Sequence, residues 1–325
     1  MTEELPVGFT AVAAAADRLR EVAVLTPLLE SPALNELVEG HLLLKAEPLQ
    51  RTGSFKFRGA YNAISVLQPR AVVAYSSGNH AQGVALAARL HGIRATIVMP
   101  ADAPWTKLDG TRALGAEVVT YDRDRDDREA IGRAIAERDG AVLIRPYDDP
   151  LIIAGQGTAG LEMAEQAARI GVSLDAALVC CGGGGLVAGC AVALTHLVPG
   201  IAVHAVEPEG FEDTSRSLAA GRRLANPAGG RSFCDALLAP IPGEITFAVN
   251  ARLLAIGLVV TEAEVRAAMR LAFRHLKIVV EPGGAVALAA ALAGKLATRG
   301  RTIGVVLSGG NVDAGLFGNV LSGTD

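Results

Sequence analysis

Aromatic residues are scarce in this chain, 4% of 325 positions with a single tryptophan, so aliphatic side chains must fill its interior. Cysteine is scarce as well. Cys180, Cys181, Cys190 and Cys234 form no C-x-x-C pair, which sets aside the usual zinc and redox spacings and fits buried thiols in a reducing cytoplasm. No charge of one sign dominates: the formal net charge is −4 and no polybasic block occurs, which argues against nucleic acid as a partner. The opening MTEELPVGFT lacks both a basic start and an apolar core, so no secretory signal is expected. The six histidines include no H-E-x-x-H, and no G-x-S-x-G is present, which removes two familiar hydrolase signatures.

What the chain has in quantity is glycine, 37 residues, within a half-hydrophobic composition, as in a close-packed α/β protein with many glycine turns. The charge-free run AALVCCGGGGLVAGCAVALT (176–195) would pass a hydropathy window as a membrane span. Four successive glycines would badly weaken such a helix, so a buried strand, a glycine loop and a buried helix are expected, with no membrane association.

Apolar strand-like runs alternate with helical stretches, the pattern of a mostly parallel sheet covered on both faces. Strands are expected at 42–47, 71–76, 94–100, 116–121, 141–146, 175–181, 201–207 and 302–308. Helices are expected at 58–67, 80–92, 106–115, 155–171, 185–197, 262–275 and 285–296. The mixed-charge run 121–140 suits a polar turn and a solvated helix. Residues 211–250 carry turn signals and little periodicity, and the block from 71 to 146 is the natural smaller domain, inserted within a larger one.

Four polar or glycine-rich loops follow these strands: SSGNH (76–80), CGGGG (181–185), EPEGFED (207–213) and SGGN (308–311). Loops at the carboxyl ends of parallel strands line a ligand crevice. Gly182, Gly183, Gly184 and Gly185 open a helix, where successive N–H groups and the helix dipole can cradle a phosphate; close backbone packing is the plainer explanation. Gly183-x-Gly185-x-x-Ala188 also fits a loose dinucleotide fingerprint, with Glu207 where a ribose-binding acid would stand, so a nicotinamide-dependent dehydrogenase competes. That competitor leaves SSGNH, SGGN and Lys56 without a role. Ser76, Ser77 and Asn79 suit ordinary helix capping or, with free N–H groups, a carboxylate site; of the histidines, His80 alone lies in such a loop. Lys56, in RTGSFKFRGA (51–60), is a surface charge or a lysine held for covalent chemistry.

Taken in order, QRTGSFKFRGA, SSGNHAQGVA, IAGQGT, CGGGG, VEPEG and LSGGNVD strongly resemble the pyridoxal-phosphate enzymes of the tryptophan-synthase β fold, fold type II. Within them they resemble the serine/threonine dehydratase and serine racemase group, from about Thr26 to Asp313. The resemblance implies an α/β protein with two open, twisted, mostly parallel sheets and helices on both faces. A small domain, 69–148, is inserted in a large cofactor-binding domain, 1–68 and 149–325, and a cytoplasmic homodimer is expected. It implies pyridoxal 5'-phosphate as cofactor, Lys56 as its Schiff-base residue, Phe55 as a wall against the pyridine ring and Asn79 as partner of the phenolic oxygen. Gly182, Gly183, Gly184, Gly185 and the N–H of Leu186 hold the phosphate, while Arg51 and Arg58 have supporting roles. Ser308 faces the pyridine nitrogen, and a neutral hydroxyl there makes the ring a weaker electron sink, which suits β-elimination better than transamination.

A small amino-acid substrate would place its carboxylate at Ser76, Ser77, Asn79 and His80. The implied reaction is dehydration of a 3-hydroxy L-amino acid of the serine/threonine type through an aminoacrylate to a 2-oxo acid and ammonia. Lys56 takes the Cα proton, and Ser77, on the opposite cofactor face, makes serine racemisation an alternative. Dehydration of 3-hydroxyaspartate and a non-catalytic small-molecule binder also stay open. Glu207, Asp213 and the Phe211 carbonyl resemble the group's divalent-cation site, with hard oxygen ligands for Mg²⁺, Ca²⁺ or Mn²⁺; an acidic surface turn is the plainer reading. Ala236 departs from a glycine common in relatives. Arg145 departs from a histidine; it could read a second carboxylate, and pairing with Asp148 or Asp149 is the favoured expectation. Because the chain ends soon after SGGNVD, a C-terminal regulatory domain and feedback by isoleucine are not expected.

Overall fold

The computed structural model describes residues 4–76, 78–103, 105–122 and 125–324. Its strands are β1 (Leu28–Leu29), β2 (His41–Ala46), β3 (Ala71–Tyr75), β4 (Arg94–Pro100), β5 (Glu117–Tyr121), β6 (Val142–Leu143), β7 (Ala176–Cys180), β8 (Ala202–Pro208), β9 (Leu254–Val260) and β10 (Thr302–Leu307). They form a six-stranded sheet in the order β1-β2-β10-β7-β8-β9 and a four-stranded sheet in the order β5-β4-β3-β6. Only the β1–β2 pairing is antiparallel among these ladders. The central strands β2, β7 and β10 are buried along almost their whole length, which explains their unbroken apolar runs.

Glycine takes the place of bulky residues where helices touch. A Cβ on Gly157, in the helix Pro150–Arg169, would stand 2.6 Å from the Gly189 carbonyl oxygen in the helix Gly185–Leu197. That second helix has 13 residues, and among the described residues no helix is long and apolar enough to cross a membrane. All four cysteines are free and buried. The mixed-charge run gives the helix Arg128–Asp139, capped by the Asp127 carboxylate, which accepts from the Glu129 and Ala130 N–H groups.

Two differences from the sequence expectation bear on the site. The strand expected at 141–146 shrinks to the two residues of β6, because the chain turns away at Arg145 and Pro146 toward the Pro150 helix. Residues 211–250, expected to lack periodic structure, contain the helix Asp213–Ala220 and most of the helix Glu244–Leu253, followed by β9. Both helices start on carboxylates that lie outside them, one nearby and one remote. Glu207 accepts from the N–H groups of Thr214 and Ser215 at 2.9 and 2.7 Å, and Asp148 accepts from those of Glu244, Ile245 and Thr246. A capping group nearly a hundred residues away leaves no local signature.

Candidate active site

Lys56 owes its position to a strained turn and two cores. Thr52 and Gly53 are both left-handed, with φ of 59° and 71°, and this reversal lets Ser54 bridge to Gly309 just beyond β10. The Phe55 N–H then donates to the Ser308 carbonyl at 3.1 Å. Phe55 packs into the core of the six-stranded sheet and Phe57 into that of the four-stranded one. The sequence Phe-Lys-Phe therefore anchors one ring in each core and leaves the lysine between them. The Lys56 Nζ donates to the Pro146 carbonyl at 2.7 Å and lies 5.1 Å from the Phe55 ring centroid. Burial lowers its ammonium to about 8, against the opposing pull of Cys180 and Glu281.

Lys56 lies in the wall of a cavity of about 360 Å³. Phe55, Ser76, Asn79, His80, Gly182, Gly183, Gly184, Gly185, Leu186 and Ser308 share that wall. Ser77 lies outside the described residues. Two helix starts face the space. The helix Gly185–Leu197 begins at Gly184, φ 91°, with no side-chain cap, and the first-turn N–H groups of a helix have no partner within it. The Thr246 Oγ1 donates to the Gly183 carbonyl at 2.8 Å and the Asn250 Nδ2 to that of Gly184 at 3.4 Å, so the loop's oxygens are spent on the helix Glu244–Leu253. Close packing explains the glycines themselves, since a Cβ on Gly183 would sit 2.4 Å from the Tyr147 ring and one on Gly185 2.8 Å from Gln156 Oε1. Close packing thus accounts for the glycines, and the uncapped helix start leaves N–H groups at the cavity wall.

The second helix start is Asn79–Leu90, preceded by Gly78 and again without a side-chain cap; the Ser76 Oγ instead accepts from the Gly78 N–H at 3.3 Å. Ordinary capping therefore does not account for Ser76 or Asn79. The His80 Nε2 donates to the Ile144 carbonyl at 2.9 Å, and burial with the Lys56 charge nearby pushes the ring down to about 3, so it is neutral. Among the described residues its Nδ1 is buried without a partner, as are both amide atoms of Gln156. Ser308 is buried in hydrogen-bond contact with the Cys180 thiol, which burial pushes up to about 11. Buried polar atoms without partners are rare in folded proteins, and those of His80 and Gln156 belong to residues that line this cavity.

Several cavity residues went unread in the sequence. Gln156 and Asn311 stand inside quoted motifs, IAGQGT and LSGGNVD, and Tyr147 inside RPYDDP, but nothing local marks Cys180 or Glu281. The favoured pairing of Arg145 is overturned. Asp148 and Asp149 both cap helices, Asp149 through the N–H groups of Leu151 and Ile152, and the exposed Arg145 is in no ion pair among the described residues. The dinucleotide reading also loses its acid, because both Glu207 oxygens are bound by its own loop.

Glu207, Phe211 and Asp213 lie together away from the cavity wall. The Asn226 Nδ2 donates to Asp213 Oδ1 at 2.6 Å, while Asp213 Oδ2 is buried with no partner among the described residues. Among the described residues no group of three or more His, Cys, Asp or Glu side chains is arranged to hold a metal ion, so a cation here would need carbonyl or water oxygens as well.

Residues 20–309 match the family described as "Pyridoxal-phosphate dependent enzyme". Over 315 residues, 95% of this chain and 97% of the relative, the sequence is 44% identical to an L-threo-3-hydroxyaspartate ammonia-lyase of Pseudomonas sp. It is 39% identical to a serine racemase of Schizosaccharomyces pombe, across 96% of each chain. Among solved structures, a threonine deaminase from T.th. superposes with a TM-score of 0.90 at 46% identity, covering 94% of this chain and 99% of that one.

Proposed function

This chain belongs to the pyridoxal-phosphate-dependent enzymes of fold type II, and on that premise we propose that it is an ammonia-lyase converting a 3-hydroxy L-amino acid to a 2-oxo acid and ammonia. The observation that carries the reading is one desolvated lysine sharing a cavity with two uncapped helix starts. These two anion sites suit a cofactor phosphate and a substrate carboxylate, and the orphaned Gln156 and His80 atoms suit a polar occupant.

The residues present fit the cofactor. The glycine run 182–185 with the Leu186 N–H would hold its phosphate, Phe55 would back its ring, Asn79 would meet its phenolic oxygen and Ser308 its ring nitrogen. Bound there, pyridoxal phosphate supplies an aldehyde for the substrate amine and a ring that draws electrons from Cα. Lys56 is the anchoring amine and then the base: near 8, it can take the Cα proton at neutral pH. The helix start at 76–80 would orient the substrate carboxylate, and the Cβ hydroxyl would leave as water with the proton that Lys56 has taken from Cα. Ser77 is proposed to deliver a proton to the opposite face, which would give a serine-racemase side reaction that Ser77→Ala should remove first.

A second reading, in which the preferred substrate carries a second carboxylate, is favoured by the cations nearby. Arg128 lines the cavity 5.7 Å from the Tyr75 ring, and the exposed Arg145 adjoins Pro146 in the cavity wall. A panel of serine, threonine and 3-hydroxyaspartate, assayed for ammonia and 2-oxo acid, decides between the readings; silence across the panel would refute the lyase proposal.

A divalent cation at Glu207, Asp213 and the Phe211 carbonyl is supported by the orphaned Asp213 oxygen, and chelation should then lower the melting temperature. A homodimer fits the exposed apolar residues Val24, Leu25 and Leu49, drawn together where Gln50 bonds both backbone groups of Val24; sedimentation tests it. The segment 69–148 is proposed as the smaller domain, and the four buried free thiols suit a cytoplasmic location.

A further inference from the structure

The Asn79 amide is fixed at both ends. Its Nδ2 donates to Glu281 Oε1 at 2.6 Å, and its Oδ1 accepts from the Asn311 Nδ2 at 2.7 Å. Asn311 is itself tied down, its Nδ2 also donating to the Thr52 carbonyl at 2.7 Å. Turning the Asn79 amide over would set its oxygen against the Glu281 carboxylate and its nitrogen against the Asn311 nitrogen, two unfavourable pairs at once. The second Nδ2 hydrogen is thus the group left for the cavity. Glu281 is 4% exposed, immediately precedes the buried helix Pro282–Leu292, and is kept close by Gly309, where a Cβ would fall 2.3 Å from its Oε1.

We propose that Glu281 is a positioning residue: acting through Asn79, it makes the cavity present a hydrogen-bond donor to the phenolic oxygen of the bound cofactor. The inference rests on the cofactor reading above and adds a residue that none of the sequence motifs contained. An ionised Glu281 polarises the Asn79 amide and holds it firmly; protonation weakens that hold. Burial pushes Glu281 up to about 7, so the change falls in the working range. The charged and titratable groups facing it come from four elements: Lys56, the Cys180 thiol, and the Lys107–Asp235 ion pair at 2.8 Å, which spans the helix Trp105–Ala113 and the turn Asp235–Leu237. Asp235 raises Glu281 further, and Lys107 and Lys56 oppose the rise.

The test titrates the visible absorbance of the substrate-free holoenzyme across the unit on either side of about 7. The expected result is an absorbance step in the wild type that Glu281→Gln removes, with the melting temperature of the cofactor-free protein little changed. Asn79→Ala removes the same step, and the double variant behaves as Asn79→Ala alone. Asn311→Ala, at the more exposed end of the chain, weakens cofactor binding about tenfold, the loss of one well-aligned hydrogen bond, and leaves the step in place. An unchanged step in Glu281→Gln, or additive losses in the double variant, overturns the inference. A wild type that shows no visible band overturns the cofactor reading and the inference together.

Discussion

Arg58 and Lys56 stand two positions apart at the start of one helix, and their surroundings are opposites. Arg58 is completely buried and every side of its guanidinium is matched: Nε and Nη2 donate to Glu47 at 2.7 and 2.8 Å, and Nη1 and Nη2 to Glu162 at 2.6 and 2.8 Å. Lys45 completes the group, its Nζ 2.6 Å from Glu162. Lys56 has one carbonyl partner, and the His80 Nδ1 and the Gln156 amide atoms nearby have none among the described residues. The closed network holds Glu47 below its ordinary range and Arg58 above its own through their mutual attraction, which overcomes the cost of burial. In the open cavity burial prevails and Lys56 is pushed toward its neutral form. A buried charge with all its partners present fixes a structure; one with partners missing awaits a ligand.

The largest effect that would sharpen this contrast is on activity. Lys56→Met should lower turnover by more than about a thousandfold, since a covalent anchor and base has no neighbouring substitute. Its effect on stability should have the other sign. Because the Lys56 pKa is depressed in the folded state, its unfavourable contribution is fully present below about 8 and is relieved as pH rises toward the ordinary 10.5. The cofactor-free variant should therefore be more resistant to urea than the wild type at pH about 7, and the advantage should shrink above pH about 10. A variant that keeps wild-type turnover would end the assignment of Lys56.

Arg58→Met should invert that result. Removing the guanidinium leaves the buried Glu47 and the partly buried Glu162 with only Lys45 as a cation, a loss on the order of 3–5 kcal/mol. Glu47 is held below the usual glutamate range, so its share of stability is present above that range and is lost as pH falls through its folded value. The gap between wild type and variant in urea should accordingly narrow on acidification. The turnover per folded molecule should change far less than in Lys56→Met. A large loss of turnover at unchanged stability would mean that the two regions are not separable.

The contrast also explains what the sequence made legible. Strands such as β2, β7 and β10 were visible because burial on both faces demands continuous apolar runs, and the cavity-lining loops at 76–80, 182–185 and 308–311 because they follow strands directly. Lys56 was visible through its family motif. Its place between two cores was not, because nothing in Phe-Lys-Phe says that the two rings enter different clusters. Glu281 was hidden for the same reason as the cap at Asp148: its partner Asn79 is 202 positions away. Arg145 was misassigned because proximity in sequence suggested a pairing whose carboxylates had been claimed by helix starts.

The smallest expected effect concerns the turn that delivers Lys56. Thr52 is a β-branched residue in the left-handed region, φ 59° and ψ 18°, and its hydroxyl is buried without a partner. Left-handed backbone costs most residues on the order of 1–2 kcal/mol, and asparagine tolerates it better than threonine. Thr52→Asn should therefore stabilise the protein by about 1 kcal/mol, measured as a higher urea midpoint with an unchanged slope. The bond from Asn311 to this residue uses the Thr52 carbonyl, which the substitution keeps, so Asn79 stays fixed and turnover should change by no more than about twofold. A stabilised variant with normal turnover would place the strain in the turn alone. A stabilised variant with impaired turnover would show that the strained turn is needed to hold Lys56 at the cavity, on the open side of the comparison with Arg58.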